Sequence, residues 1–105
     1  MARFTIGRDD TNDIIISDKS VSRQHAELYD LGDDVYKLVD SGSSNGTWCL
    51  GDAGWKPVIS AELEADSMVK LGDYSTSVAA LLMEADARVT RRASDDETKQ
   101  DTRRR

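Results

Sequence analysis

Residues 26–39 read AELYDLGDDVYKLV, in which two runs of alternating apolar and polar side chains flank a Gly-Asp-Asp turn. Alternation with a period of two is typical of a strand that buries one face. Gly and Asp are also favoured in hairpin turns. The stretch therefore predicts an antiparallel β-hairpin.

Similar short runs lie on both sides of this hairpin. Residues 3–6 alternate and end at Gly7, and three consecutive isoleucines at 14–16 predict a short buried strand. Val21, the apolar residue of a polar loop, is expected to point inward. Further strands are predicted over 47–50, 55–59 and 68–71, with Pro57 marking an edge position. Short strands separated by turns at this spacing predict an all-β sandwich.

The segment from Tyr74 to Met83 fits two patterns. Its first residues alternate, whereas a helical spacing of apolar residues is formed by Val78, Leu81, Leu82, Ala85 and Val89. We predict a strand to about Met83, and the helical spacing leaves room for a helical turn after it. The domain is then expected over 1–84. Residues 85–105 are expected to be a charged, disordered tail, because they have too little apolar surface to offset the entropy of ordering.

Composition limits the class of protein. A chain of 105 residues is long enough for one domain and a tail. It contains neither a membrane-spanning apolar run nor a signal-peptide core, which predicts a soluble protein. The single Cys49 cannot form an internal disulfide, which favours the reducing cytoplasm. Because Cys49 lies in the apolar run Trp48-Cys49-Leu50, we expect a buried structural thiol.

The charge is distributed unevenly. Residues 1–83 contain 14 acidic and 7 basic residues, a net charge of −7, whereas residues 84–105 carry a net charge of +1. An acidic body repels nucleic acid and anionic membranes, so neither is expected as a partner. A phosphate ligand would have to be held by local donors.

Such donors occur in three short motifs: Gly7-Arg8, SRQH at 22–25 and SNGT at 44–47. Each falls in a polar connection next to an apolar run, where binding loops are found on rigid scaffolds, so we expect the motifs to meet at one end of a sheet. Arginine forks match the geometry of phosphate oxygens. The carboxamide of Asn45 offers both a donor and an acceptor, which suits a peptide backbone.

In this order and spacing, the three motifs resemble those of the forkhead-associated (FHA) domain, a module that binds phosphothreonine peptides. The resemblance covers residues 4–83, and the compact loop spacing looks like that of bacterial stand-alone members. It implies a β-sandwich of two antiparallel sheets with the binding loops at one end. It also implies a phosphothreonine-containing partner, an upstream Ser/Thr kinase and no cofactor.

The resemblance further implies residue roles. The phosphopeptide-binding residues are expected to be Arg8, Ser22, Arg23, Ser44 and Asn45. Structural support of the site is expected from Gly7, His25, Gly46 and Thr47, with the His25 ring tying neighbouring loops together. The alternative for Arg8 is a solvated side chain that neutralises the aspartates of its own loop.

One departure concerns the beginning of the fold. Many FHA domains have one or two strands before the Gly-Arg motif, and six residues precede Gly7 here. The alternatives are a sandwich trimmed at its first strands or one with an open edge. An open edge could pair with another chain, so the expected state is a monomer or a weak dimer.

The sequence also admits other functions. The main alternative is a module of the same fold that binds partners without phosphate. A hydrolase built from Ser22, His25 and Asp40 is another alternative, but Ser22 does not lie in a Gly-x-Ser-x-Gly elbow. One Cys and one His do not make a zinc site.

The tail adds a candidate phosphosite. Thr98 lies in the acidic stretch DDETKQD at 95–101, and its phosphorylated form could bind the FHA site of its own or a neighbouring chain. An ordinary solvated tail is the alternative.

Overall fold

The computed structural model describes residues 2–86, in which nine strands form two packed sheets and a helix follows the last strand. The strands are β1 (Ala2–Gly7), β2 (Ile14–Ile15), β3 (Ala26–Gly32), β4 (Val35–Asp40), β5 (Thr47–Gly51), β6 (Gly54–Pro57), β7 (Ser60–Leu63), β8 (Met68–Leu71) and β9 (Tyr74–Ser77). The helix, α1, covers residues 78–86. The predicted all-β sandwich is confirmed.

The five-stranded sheet has the order β2-β1-β3-β4-β7, and the four-stranded sheet has the order β6-β5-β8-β9. The predicted β3–β4 hairpin is present and pairs Leu28 with Leu38. Its turn places Asp33 and Asp34 at φ of 55° and 63°, the left-handed conformation that a tight hairpin turn needs at both central residues. Pairing is antiparallel throughout both sheets except between β1 and β2, which are parallel.

The core lies between the sheets and is closed by the helix. The first sheet and its loops supply Ile6, Ile14, Ile16, Val21, Ala26, Leu28 and Leu38, and the second sheet and the helix supply Val69, Leu71, Val78, Leu81 and Ala85. Val21 is 1% exposed, which confirms that it points inward. Its burial anchors the loop that carries the second motif to the core.

The prediction of a strand to Met83 is wrong. The strand ends at Ser77, and residues 78–86 form the helix. The Ser77 hydroxyl accepts a 3.1 Å hydrogen bond from the Ala80 backbone N–H, which is an N-cap. Strong helix formers follow at 79–85, and the helical spacing of apolar residues is the pattern that reaches the core.

Three smaller differences concern the strands and the tail. β7 was not predicted, because SAEL at 60–63 has a single large apolar residue. Cys49 is partly buried instead of fully buried, and it packs against the core. The helix continues past residue 84 with Ala85 buried, and the rest of the predicted tail, including Thr98, lies outside the described residues. Within residues 2–86, no helix is long and apolar enough to cross a membrane.

Candidate functional site

The three motifs meet at one end of the sandwich. The backbone N–H of Arg8 donates a 3.0 Å hydrogen bond to the Ser22 carbonyl, which joins the first motif to the second. The N–H of Gly72, in the β8–β9 turn, donates a 2.9 Å hydrogen bond to the Gly46 carbonyl of the third motif. Four connections, each entering or leaving a strand, therefore form one surface, which we call the loop surface.

Arg8 follows β1 with its side chain anchored at one nitrogen. Its Nε donates a 2.9 Å hydrogen bond to the Val21 carbonyl. The residue is exposed, and within residues 2–86 it forms no ion pair with Asp9 or Asp13. The bond through Nε orients the guanidinium plane and leaves the two terminal nitrogens for a ligand.

Gly7 is required by the close approach of the second loop. A Cβ built on Gly7 would lie 2.0 Å from the carbonyl oxygen of Arg23 and 2.8 Å from Nδ2 of Asn12. Asn12 is 1% exposed, and its Nδ2 donates to the carbonyls of Asp9 and Arg23 at 2.9 and 2.7 Å. Asn12 thus ties the Arg8 loop to the Arg23 loop. Its buried Oδ1 has no hydrogen-bond partner among the described residues. The free energy of solvation of that oxygen is therefore lost when Asn12 connects the two loops.

Ser22 links the second and third motifs. Its Oγ accepts a 3.0 Å hydrogen bond from the backbone N–H of Ser44. An oxygen that accepts this bond keeps its own proton to donate. The Ser22 hydroxyl is therefore a donor of fixed position beside Arg8, and the exposed hydroxyl of Ser44 lies next to it.

His25 is fully buried and lies beneath this surface. Its Nδ1 accepts a 3.0 Å hydrogen bond from the Ser22 backbone N–H, and its Nε2 lies 2.9 Å from the Gly46 carbonyl. This arrangement requires the neutral ring with its proton on Nε2. The ring connects the two loops and has no access to a ligand. It is not hydrogen-bonded to Asp40 or to the Ser22 hydroxyl, so a Ser-His-Asp triad is not formed.

Asn45 is exposed and reaches across to the second loop. Its Nδ2 donates a 2.9 Å hydrogen bond to the Ser20 carbonyl. Ser20 is itself held by the β8–β9 turn, because its Oγ accepts a 2.7 Å hydrogen bond from the Asp73 N–H. This network leaves Oδ1 of Asn45 as an acceptor of fixed position at the protein surface.

Asp40 organises the third loop from below. One carboxylate oxygen accepts from the hydroxyls of Ser43 and Thr47, and the other accepts from the backbone N–H groups of Gly42 and Ser43 at 2.9 and 3.0 Å. Burial would raise the pKa of the Asp40 carboxyl, but these hydrogen bonds together outweigh it and hold the pKa below the ordinary value. The Ser43 Oγ in turn accepts from the N–H of Gly46, which has a φ of 89°.

The structure divides the predicted site residues into two groups. Those at the surface are Arg8, Ser22, Arg23, Ser44 and Asn45, and those beneath it are Gly7, His25, Gly46 and Thr47. The Arg23 backbone carbonyl is held by Asn12 and Asp9, while its side chain is exposed. Thr47 is 1% exposed and is engaged by Asp40.

Sequence reasoning missed two residues that hold the loops together, Asn12 and Asp40. For Asp40 a local signal exists, because an Asp followed by Ser-Gly-Ser is typical of an Asx-turn. Asn12 lies in an Asp-rich loop and carries no local pattern that distinguishes it from a solvated residue. Its partners become adjacent only in the folded chain.

A partly buried thiol lies outside this surface. Burial raises the pKa of the Cys49 thiol, which disfavours the thiolate form. Within residues 2–86, no group of three or more His, Cys, Asp or Glu side chains could hold a metal ion.

Comparison with known proteins agrees with this geometry. The chain is 38% identical over 68 residues to the glycogen accumulation regulator GarA of Mycobacterium tuberculosis, covering 65% of this chain and 39% of that relative. The FHA domain of the CT664 protein of Chlamydia trachomatis superposes with a TM-score of 0.62 and 33% identity, covering 70% of this chain and 71% of that one. Mycobacterium tuberculosis EmbR, solved in complex with a low-affinity phosphopeptide, superposes with a TM-score of 0.62 and 28% identity over 72% of this chain and 19% of its own.

The chain spans well under two thirds of GarA, so the comparison concerns the shared domain. The family model for the FHA domain matches residues 4–72, which is most of the part that the structure describes and includes all three loop motifs. The chain therefore belongs to the FHA domain family.

Proposed function

We propose that this chain binds phosphothreonine-containing segments of partner proteins and acts in phosphorylation-dependent signalling. The observation that carries the proposal is the pairing of two donors of fixed position. Arg8 is oriented through its Nε, and the Ser22 hydroxyl is positioned by the Ser44 N–H. An oriented guanidinium beside an oriented hydroxyl suits a phosphoryl group, because both can donate to its oxygens.

The other surface residues have complementary roles in this proposal. The exposed side chains of Arg23 and Ser44 add a second cation and a second hydroxyl at the margin of the phosphate position. The Oδ1 of Asn45 is suited to accept a backbone N–H of the bound peptide, since its Nδ2 is already held by Ser20. The peptide would thus be bound both by its phosphate and by its main chain.

Charge makes the phosphate the dominant contact. A phosphothreonine carries a charge of about −1.5 to −2 at neutral pH, and each hydrogen bond to a charged group contributes about 1.5–3 kcal/mol. Residues 1–83 carry a net charge of −7, so no general positive field assists binding. Loss of Arg8 should therefore weaken binding at least about tenfold, since a tenfold change corresponds to about 1.4 kcal/mol.

The test is calorimetric titration with an oriented library of phosphothreonine peptides and with the corresponding unphosphorylated peptides. We expect binding that requires the phosphate and that falls at least about tenfold in Arg8→Ala. Arg3→Ala is the matched control, because Arg3 lies on β1 and forms an ion pair with Glu27. Its affinity for the peptides should equal that of the wild type.

The competing function is a module that binds partners without phosphate. Equal affinity for phosphorylated and unphosphorylated peptides, or equal binding by Arg8→Ala and Arg3→Ala, would support that function instead. EmbR, whose structure holds a phosphopeptide, favours the phosphate-dependent reading for a domain of this fold.

The proposal includes the origin of the ligand. A Ser/Thr kinase would write the phosphate, and a tail peptide carrying phosphorylated Thr98 belongs in the same titration as a candidate ligand from this chain. A reducing, cytoplasmic setting is consistent with the single cysteine. We propose a monomer or weak dimer, which sedimentation with and without the phosphorylated tail would test.

A further inference from the structure

The outer face of the four-stranded sheet carries several large apolar side chains on β5, β6 and β8. Directly opposite residues in antiparallel strands share a face, and the register places Trp48, Pro57 and Lys70 together and Leu50 beside Trp55. On the opposite face, Val69 and Leu71 of β8 lie in the core and Thr47 of β5 is buried. We call the outward set, Trp48, Leu50, Trp55, Pro57, Met68 and Lys70, the tryptophan face.

The tryptophan face leaves large side chains in contact with solvent. Leu50 is 49% exposed, Trp55 is 37% exposed and Met68 is 38% exposed. None of the six residues is acidic, although residues 1–83 carry a net charge of −7. Adjacent apolar side chains of this size mark interaction surfaces more often than isolated ones do.

A single cation lies within this face. The Nζ of Lys70 lies 5.1 Å from the ring centroid of Trp48 and 5.2 Å from that of Trp55. Both distances are within the range of a cation–π interaction. The two rings hold the ammonium in place and cover part of its solvent shell. A fixed cation surrounded by apolar groups is complementary to a carboxylate that is itself flanked by apolar side chains.

The tryptophan face begins where the loop surface ends. Trp48 follows Asn45 by three residues. A Cβ built on Gly46 would lie 3.3 Å from Nε1 of Trp48, so the indole lies against the loop that carries Asn45. A ligand held at Asn45 therefore has direct access to the face.

We propose that the tryptophan face is a second docking surface for the same phosphorylated partner, which binds it through a segment of large apolar side chains around one carboxylate. This inference rests on the proposed phosphothreonine binding. A second copy of this chain is a poorer occupant, because an isologous contact through the face would bring two Lys70 side chains and two acidic bodies together. Contact at two linked sites raises affinity because the second contact becomes intramolecular.

The probes are a short phosphothreonine peptide and the same peptide extended, on either side, by a Gly-Ser spacer and a segment of Leu, Phe and Glu. We expect one of the extended peptides to bind about tenfold more tightly than the short one. Trp48 and Trp55 are the two tryptophans of the chain. In Trp48→Phe all tryptophan emission arises from Trp55, on β6, and this emission should change with the extended peptide only.

Charge exchange tests the role of Lys70. For Lys70→Glu, the extended peptide with Glu should lose most of its gain in affinity over the short peptide. A peptide with Lys in place of that Glu should recover this gain. The short peptide should bind wild type and Lys70→Glu equally. Lys37→Glu is the matched control, since Lys37 is exposed on β4 of the other sheet, and it should keep the wild-type ranking of the peptides.

The outcomes are separable. If the short peptide does not bind, the proposed phosphothreonine binding itself is contradicted. Binding of the short peptide with no gain from either extension, or a gain that does not depend on the charge at position 70, would overturn the docking surface alone. A dimer in sedimentation that Leu50→Glu converts to a monomer would assign the face to a second copy and would also overturn it.

Discussion

At the scale of single residues, the binding surface depends on side chains that lie beneath it. His25, Asn12 and Asp40 each hold two or more backbone groups of the loops, and the first two are almost fully buried. Because a buried polar atom is costly unless it is paired, the hydrogen bonds of Nδ2 of Asn12, of the His25 ring and of the Asp40 carboxylate favour one loop arrangement over others. This arrangement determines the positions of the surface donors, the Arg8 guanidinium and the Ser22 hydroxyl.

Gly7→Ala should destabilise the domain by about 1–3 kcal/mol, because the new methyl group would lie 2.0 Å from the Arg23 carbonyl oxygen and would force the two loops apart. Phosphopeptide binding should fall with it. Chemical denaturation measures the first effect and calorimetry the second. In the control Gly51→Ala the nearest heavy atom lies 3.8 Å away, so a Gly7→Ala protein as stable as this control would contradict the prediction.

Asp40→Asn should lower the free energy of unfolding by about 1–2 kcal/mol at neutral pH. The reason is that the amide cannot accept all four hydrogen bonds that the partly exposed carboxylate accepts. The pKa of Asp40 is lower in the folded state than its ordinary value of 3.8. A lowered folded pKa means that this stabilisation is complete above the unfolded value and is lost as pH falls through the folded value. The stability difference between wild type and Asp40→Asn should therefore narrow below about pH 4.

Denaturation curves at a series of pH values measure this difference. Asp52→Asn, in the exposed β5–β6 turn, changes the same charge without removing such a network and serves as the control. If the difference in unfolding free energy between wild type and Asp40→Asn stays constant from pH 7 to well below pH 4, the predicted coupling of stability to protonation of Asp40 is contradicted.

At the scale of elements, the transition from β9 to α1 decides how the sandwich is closed. Both a strand and a helix fit the apolar pattern of residues 74–85, and the outcome depends on a single capping serine and on what each conformation buries. The helix places Val78, Leu81 and Ala85 in the core, each no more than 4% exposed. A continued strand would have alternated its side chains and left part of this set in solvent.

Ser77→Ala should destabilise the domain by about 1 kcal/mol, because the N–H of Ala80 loses the hydroxyl oxygen that caps the helix. Ser77→Asp should restore most of this stability, since Asp is an equally good N-cap. Ser75→Ala, two residues earlier on the same face of β9, is the matched control. Thermal or chemical unfolding measures the stability of each variant. If Ser77→Ala is as stable as Ser75→Ala, the cap does not stabilise the helix.

At the scale of the whole molecule, an acidic body carries the two regions for which we propose binding roles. The loop surface presents two arginines and two hydroxyls, which we propose for a phosphate, and the tryptophan face presents large apolar groups around one lysine. The seven bases of residues 1–83 include the three that these regions use, Arg8, Arg23 and Lys70. Positive charge is thus placed locally, which favours specific contacts over general attraction to polyanions.

Several features of this protein follow from its sequence alone, because they depend on neighbours along the chain. Alternating side chains predict the β3–β4 hairpin, Gly and Asp predict its turn, and the Gly-Arg, Ser-Arg-x-His and Ser-Asn-Gly-Thr motifs predict which loops carry polar donors. Strand β7 is not predicted from the sequence, because its four residues include a single large apolar side chain.

Other features were decided only by the tertiary structure, because their partners are distant in sequence. His25 meets a carbonyl 21 residues away, and Ser20 meets an N–H group 53 residues away. The anchoring roles of Asn12 and Asp40 and the enclosure of Lys70 between two indoles arise in the same way. Local patterns determine which residues form strands and loops, whereas packing of the two sheets determines which side chains become neighbours.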